Sequence, residues 1–230
     1  AAQGQDLASL LAQEMDENGE YWPVEHLVPH IALIQFAAHD TTSGALSHLM
    51  MHLAHPDNHE LQEELREIAF SAKYDRDHLG VKELRELTLY EHCMHEALRL
   101  HPSLAILPRR TIRECELGGH RIPAHTVIYA ASAWAHRSPE WWTDPLRFDP
   151  HRFSEERAEH RGHRFCFVPF GGGAHKCIGM HFALLSSKLF LHQFLRRYRF
   201  RLPRDYDCYC DSVPIAAPSK GLPLLLERIA

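Results

Sequence analysis

The sequence predicts a mainly α-helical fold with a small β part, organised as one continuous unit over residues 1–230. Three observations predict it. Apolar residues recur with helical spacing over much of the first half of the chain, and short turn-flanked apolar runs replace them near residue 114. One more amphipathic stretch then follows a glycine-rich loop.

Residues 1–20 are polar with scattered leucines and end in "DENGE", read as a helix followed by a turn. A long helix is expected over about 28–54, with Pro29 tolerated in its first turn and Pro56 ending it. Such a helix is a rod of roughly 40 Å. "DNHELQEELREIAF" is a second amphipathic helix. "VKELRELTLYEHCMHEALRLHP" holds one or two more, the last over about 88–101 and stopped by Pro102. "ECELGGHRIP" with "HTVIYAASAWAH" reads as a β hairpin over about 114–136, turning at Gly118 and Gly119. From Ser138 to Phe170 the chain is rich in proline, aromatics and charge, which predicts a long ordered loop. A last helix is expected over about 178–198, with Ile178, Phe182, Leu185 and Leu189 marking its buried face. The tail reads as short strands, and no repeat or linker divides the chain.

Hydrophobic residues make up 45% and charged residues 24% of the 230, an ordinary soluble globular composition. A net charge of -5 gives no bulk attraction to nucleic acid or acidic lipid. No apolar run is long enough to cross a membrane, although the chain starts at Ala1 and not at Met. Cys93, Cys115, Cys166, Cys177, Cys208 and Cys210 form no C-x-x-C pair and read as reduced thiols, which points to the cytoplasm. Histidine is abundant, at 20 residues. His48, His52, His55 and His59 have helical spacing, but Pro56 interrupts them and no obvious further ligand completes a site. They are read as a solvated face, as is the pair Glu63 and Arg66.

The stretch "FVPFGGGAHKCIGMHFALL" carries the chemistry. Cys177 sits between three glycines and a helix start, where the helix dipole and open N–H groups favour a thiolate. Glycines let a bulky planar group approach the backbone. A soft thiolate with nearby donors is how haem iron is held when electron density must be pushed onto the metal. A zinc site through His175, Cys177 and His181 is the alternative, but it needs a fourth ligand and leaves the glycines unexplained.

"FGGGAHKCIG" resembles the cysteine loop of the cytochrome P450 family, the haem-thiolate monooxygenases, at Phe170, Gly171, Gly173, His175, Cys177 and Gly179. The resemblance makes Cys177 the axial ligand of a haem b iron, with Phe170 shielding the sulfur and His175 reaching a propionate. "HEALRLHP" supplies Glu96 and Arg99, and "FDPHRF" supplies Arg152. These match the family's buried triad, which implies a brace for the cysteine loop. His151 stands where the family usually has glutamate. Arg109, with Arg110 as its rival, matches the family's propionate-binding arginine. Leu104, Ala105, Ile106 and Leu107 would line the substrate side, with plain core packing as the competing reading.

In "QFAAHDTTSGALS" the family's acid–alcohol pair maps onto Asp40 and Thr41, which would deliver protons, beside the small residue Ala37. The cluster of poor helix formers predicts a local opening of the helix there. The resemblance covers about residue 5 to the end and corresponds to the C-terminal part of the family's longer chains. It implies a P450-like fold with its N-terminal portion missing. It also implies an apolar substrate, O2 and a ferredoxin- or flavoprotein-type electron donor. The rival expectations are a non-catalytic haem-binding fragment and a histidine-rich metal-binding helical protein.

Overall fold

The structure, a computed structural model, describes residue 4 and residues 6–207, 209–212 and 214–229. Cys208 lies outside them. The chain divides between Asp40 and Thr41 into two compact units.

In the first unit, helix α1 (Leu7–Leu11) begins where the Asp6 carboxylate accepts from the Ser9 N–H at 2.9 Å. The turn after it closes on Asp16, whose side chain accepts from the amides of Asn18 and Glu20. Helix α2 spans Val24–Leu53, so its first residues belong to this unit and the rest to the second. It starts four residues earlier than the sequence suggests, which moves Pro29 out of the first turn. Pro29 lacks the N–H that would bond the carbonyl of Glu25, so the expectation of a harmless N-terminal proline is corrected.

In the second unit, α3 (His59–Phe70), α4 (Val81–Glu86) and α5 (Thr88–Leu100) pack against α7 (Met180–Arg197), with the four-residue α6 (Ser132–Ala135) between them in sequence. Their shared core holds Leu49, Leu53, Leu65, Tyr90, Met94 and Leu191. Among the described residues, sheet content is four antiparallel pairs, beginning with β1 (Leu107–Arg110) against β4 (Val127–Ala130) and β2 (Cys115–Leu117) against β3 (His120–Ile122). The remaining pairs are β5 (Tyr198–Arg201) with β8 (Leu225–Arg228) and β6 (Cys210–Asp211) with β7 (Ala217–Pro218).

The hairpin expected over 114–136 is therefore only its first half. Gly118 and Gly119 make its turn at φ of +57° and +79°. Pro123 has no N–H to extend the ladder, and the chain crosses back so that β4 joins β1. The Thr111 hydroxyl ties this crossing by donating to the Pro123 carbonyl.

Of the expected buried face of α7, Leu185 packs half-buried against the core, and the other three members do not. Ile178 is 94% exposed and Phe182 77% exposed, and Leu189 is exposed too. The buried face is instead Leu184, Ser187, Lys188, Leu191, His192 and Leu195. That stripe is continuous at helical spacing, and Ser187 and Lys188 each find a partner for their polar atoms. Ser187 donates to the Ala183 carbonyl, and Lys188 pairs with Glu91 at 2.5 Å.

No opening marks α2 at Thr41–Gly44, where the helix runs unbroken. Gly44 has a different role. A Cβ there would fall well inside van der Waals distance of the Ala216 carbonyl, so its absence lets the tail lie against the helix.

Candidate functional site

Cys177 is exposed, two residues before Gly179, the cap of α7. Its N–H donates to the Phe170 carbonyl at 2.9 Å, which closes the loop into a ring. Gly171 and Gly173 have φ of +70° and +68°, which a side chain would resist. A Cβ at Gly179 would stand 3.9 Å from the Cys177 Sγ. Phe170 packs its ring against the core, and His175 is exposed in the short 3₁₀ turn Gly173–His175. His181, the ligand of the zinc alternative, is exposed on the first turn of α7.

Behind the loop lies a fully buried ionic cluster. Glu96 and Arg99 share one face of α5, as their spacing requires. Arg99 donates to both Glu96 oxygens at 2.7 and 2.9 Å, and Arg152 donates to Oε1 at 3.0 Å. All three side chains are 0% exposed. Burying such charges is tolerable only when every donor is used. Here the remaining guanidinium donors reach the carbonyls of His136, Pro145, Arg147 and Thr143, and the Trp142 ring covers Arg99 at 5.0 Å.

Hydrogen bonds connect this cluster to the cysteine. Arg99 donates to the His136 carbonyl, and the His136 Nε2 accepts from the Val168 N–H at 2.9 Å. The Val168 carbonyl accepts from Gly171, and the Phe170 carbonyl accepts from Cys177. Because Nε2 accepts, the His136 proton sits on Nδ1. Burial, aided by the Arg99 charge, lowers its pKa to about 4, so it stays neutral and keeps that lone pair.

The other sequence-selected residues lie on α2, on β1 and in the bend just before β1. Arg109 and Leu107 project to the same side of β1, whereas Arg110 points the other way and donates to the His125 carbonyl. Arg109 is exposed and donates to the Pro108 carbonyl. Leu104 and Ile106 are exposed, and Ala105 and Leu107 are half-buried. Ala37 and Asp40 are exposed on α2, with Asp40 3.9 Å from the His39 ring nitrogen. Thr41 is half-buried, and its carbonyl accepts from the Ser103 hydroxyl at 3.0 Å.

The family profile described as Cytochrome P450 matches residues 2–222. The chain belongs to the cytochrome P450 family. A putative cytochrome P450 136 of Mycobacterium tuberculosis is 40% identical over 98% of this chain and 45% of its own length. A sterol 14alpha-demethylase of Mycolicibacterium vanbaalenii is 30% identical over 94% of this chain and 48% of its own. Among solved structures, a retinoic acid bound cyanobacterial CYP120A1 superposes with a TM-score of 0.92 at 25% identity, over 100% of this chain and 52% of that one. The chain thus spans about half the length of these relatives. Cytochrome P450s are haem-thiolate monooxygenases, and haem b is the family's cofactor.

The residues around Cys177 fit such a group. The sulfur is exposed, the flanking glycines leave it bare, and Ile178 and Phe182 offer apolar surface beside it. Of the other described thiols, Cys93 and Cys166 are buried, Cys210 is packed beside imidazoles, and Cys115 is exposed on β2, where it pairs in register with Ile122.

Several features of this cytochrome P450 escape its sequence. Glu159 is a second carboxylate on Arg152, at 2.7 Å, and also receives Arg157. Burial works to raise its pKa, but hydrogen bonds from Arg157 and Thr143 and the Arg152 charge outweigh this and lower it. With Arg157 and its other partner Asp149, the cluster then carries three carboxylates for three guanidiniums, and only the chain's path through 143–159 could have revealed it. Arg66, read as solvated, is 5% exposed and donates to the carbonyls of Leu195 and Tyr198. His48, read as part of a solvated face, is 0% exposed, whereas His55 and His59 are exposed. No helix among the described residues is long and apolar enough to cross a membrane.

Proposed function

We propose that this chain carries the haem-thiolate site of a monooxygenase that inserts one atom of O2 into an apolar organic substrate, with electrons from a ferredoxin- or flavoprotein-type donor. The observation that carries the reading is the exposed Cys177, whose backbone N–H is tied back through the loop's hydrogen bonds to a fully buried Glu96–Arg99–Arg152 cluster.

Haem b, when bound, supplies oxygen activation at an iron whose electron density the thiolate raises. Cys177 would hold the iron through its sulfur, and Gly171 and Gly179 would keep its surroundings open to a flat ring. Phe170, which leads into the loop, would shield the sulfur from water once the ring is seated. His175 and Arg109 hold the propionates as exposed cations or donors. Glu96, Arg99 and Arg152 act as positioning residues, because a loop of three glycines has little stiffness of its own. On α2, the Thr41 hydroxyl holds a proton at the oxygen side and the Asp40 carboxyl replenishes it, while Ala37 leaves room. Leu104, Ala105, Ile106 and Leu107 line the substrate side. The apolar substrate class is supported by two similar proteins, one named for a sterol and one bound to retinoic acid.

The test is the spectrum of the reduced, carbon monoxide-treated protein after loading with haem. A Soret band of thiolate type is expected, absent in Cys177→Ser and kept in Cys210→Ser. A band of imidazole type, or one indifferent to Cys177, defeats the reading. For the proton route, Thr41→Ala in the active protein is expected to lower product per electron consumed and raise peroxide release. Unchanged coupling removes Thr41 from that role.

A further inference from the structure

A second group of metal-seeking side chains lies outside the cysteine loop. His48 is on α2, His101 is the residue that ends α5, and Cys210 is on β6. One donor atom from each lies within 4.8 Å of the other two. The two imidazoles are stacked, with centroids 4.3 Å apart and planes 2° apart.

The His48 side chain is fully buried, and neither of its ring nitrogens makes a well-formed hydrogen bond, with only the Gly44 backbone of its own helix as a weak partner. One turn along α2, the His52 ring lies tilted by 36° against His101 at 5.2 Å, and its Nε2 is likewise unsatisfied. Such buried polar atoms are rare, and an ion held by them is one physical reason for their retention. Met51 adds a thioether 4.0 Å from the Cys210 Sγ.

Two imidazoles and a thiol form a borderline-soft set that suits zinc or copper and not magnesium or calcium. Ligand atoms around tetrahedral zinc are about 3.3–3.8 Å apart, so the present set must close by about 1 Å, and one of the two parallel rings must turn so that its in-plane lone pair meets the ion. Two guanidinium groups, Arg99 and Arg137, also face the histidines. Arg99 is already neutralised by Glu96. Arg137 attracts the Cys210 thiolate, the form that ligates.

We propose that His48, His101 and Cys210 form a binding site for a thiophilic transition-metal ion, with Zn2+ as the preferred cation. Binding releases the Cys210 thiol proton to solvent and forms one sulfur–metal and two nitrogen–metal bonds. The ion clamps the tail to α2 and the end of α5, at the same place where Gly44 admits Ala216 and the Ala216 N–H donates to the Ser103 carbonyl.

The experiment adds Co2+ and then Zn2+ to the full chain. One equivalent of cobalt is expected to produce a thiolate-to-metal charge-transfer band that zinc abolishes. The band is lost in Cys210→Ser and His101→Asn and retained in Cys177→Ser and Cys115→Ser. A band that survives Cys210→Ser, or that follows Cys177, overturns the proposal. Alkylation of the unmutated protein needs no variant to fold. Zn2+ is expected to slow modification of Cys210 at least about tenfold, read by peptide mass mapping, with Cys115 unaffected. Equal rates at Cys210 with and without zinc overturn it.

Discussion

One added methyl group is expected to be felt at Gly44. Alanine there gains about 1 kcal/mol of helix propensity. It also drives a Cβ into the Ala216 carbonyl, a backbone atom that cannot rotate away. The net effect of Gly44→Ala is a loss of about 1–3 kcal/mol, or a thermal midpoint lower by roughly 3–10 °C. An unchanged midpoint would show that the tail lifts off freely. At the buried cluster, Glu96→Gln leaves Arg99 and Arg152 without their shared charge and is expected to remove about 3–5 kcal/mol. Glu159→Gln removes a carboxylate at the partly exposed end and is expected to lose only about 1 kcal/mol. Urea titrations of the two variants check the order, and equal losses would contradict it. Glu96, Arg99 and Arg152 were legible because a motif names them. Glu159 was not, since its role depends on where the loop happens to bring it.

Among the elements, α7 shows how periodicity can select the wrong face. Ile178, Phe182 and Leu189 form a plausible stripe, yet Leu184, Leu191 and Leu195 with Ser187, Lys188 and His192 are the buried one. Burial of the polar members depends on partners brought by α5 and the 71–77 segment, such as Glu91 and the Tyr74 carbonyl that faces His192. The C-terminal end of α7 depends on Arg66 in the same way. Its guanidinium satisfies the carbonyls of Leu195 and Tyr198, which a helix end leaves open. Arg66→Met keeps the bulk and removes both bonds, with an expected loss of about 2–3 kcal/mol. Amide exchange should accelerate in α7 and β5 before the rest, and a uniform change would refute that local role. The misjudged hairpin has a similar origin. "TVIYA" alternates well enough for any antiparallel partner, and only the crossing at Pro123 assigns it to β1.

For the whole molecule, the histidines set the response to acid. In the metal-free protein burial lowers His48 to about 4, His52 to about 3, His101 to about 2 and His136 to about 4, all from 6.5. The unfolded chain therefore takes up these protons first as pH falls. Stability is full above 6.5 and declines steadily down to about 4, because the unfolded state binds more protons throughout that window. Urea midpoints between about pH 7.5 and pH 5 should fall steeply, and His136→Phe should flatten the slope. A flat profile in the unmutated protein would mean that the buried imidazoles are protonated when folded.

The sequence by itself determined the helical class, the cysteine loop, the Glu96–Arg99 pair and the family, because each rests on residues close together in the chain. Glycine beside cysteine, or acid three before arginine, has its geometry dictated locally. Tertiary structure alone decided which histidines are buried, that Arg66 is a clamp, that Glu159 completes the ionic cluster and that His48, His101 and Cys210 meet. Those facts depend on segments distant in sequence packing together. Desolvation and pairing of a side chain are properties of such neighbours and not of spacing along the chain.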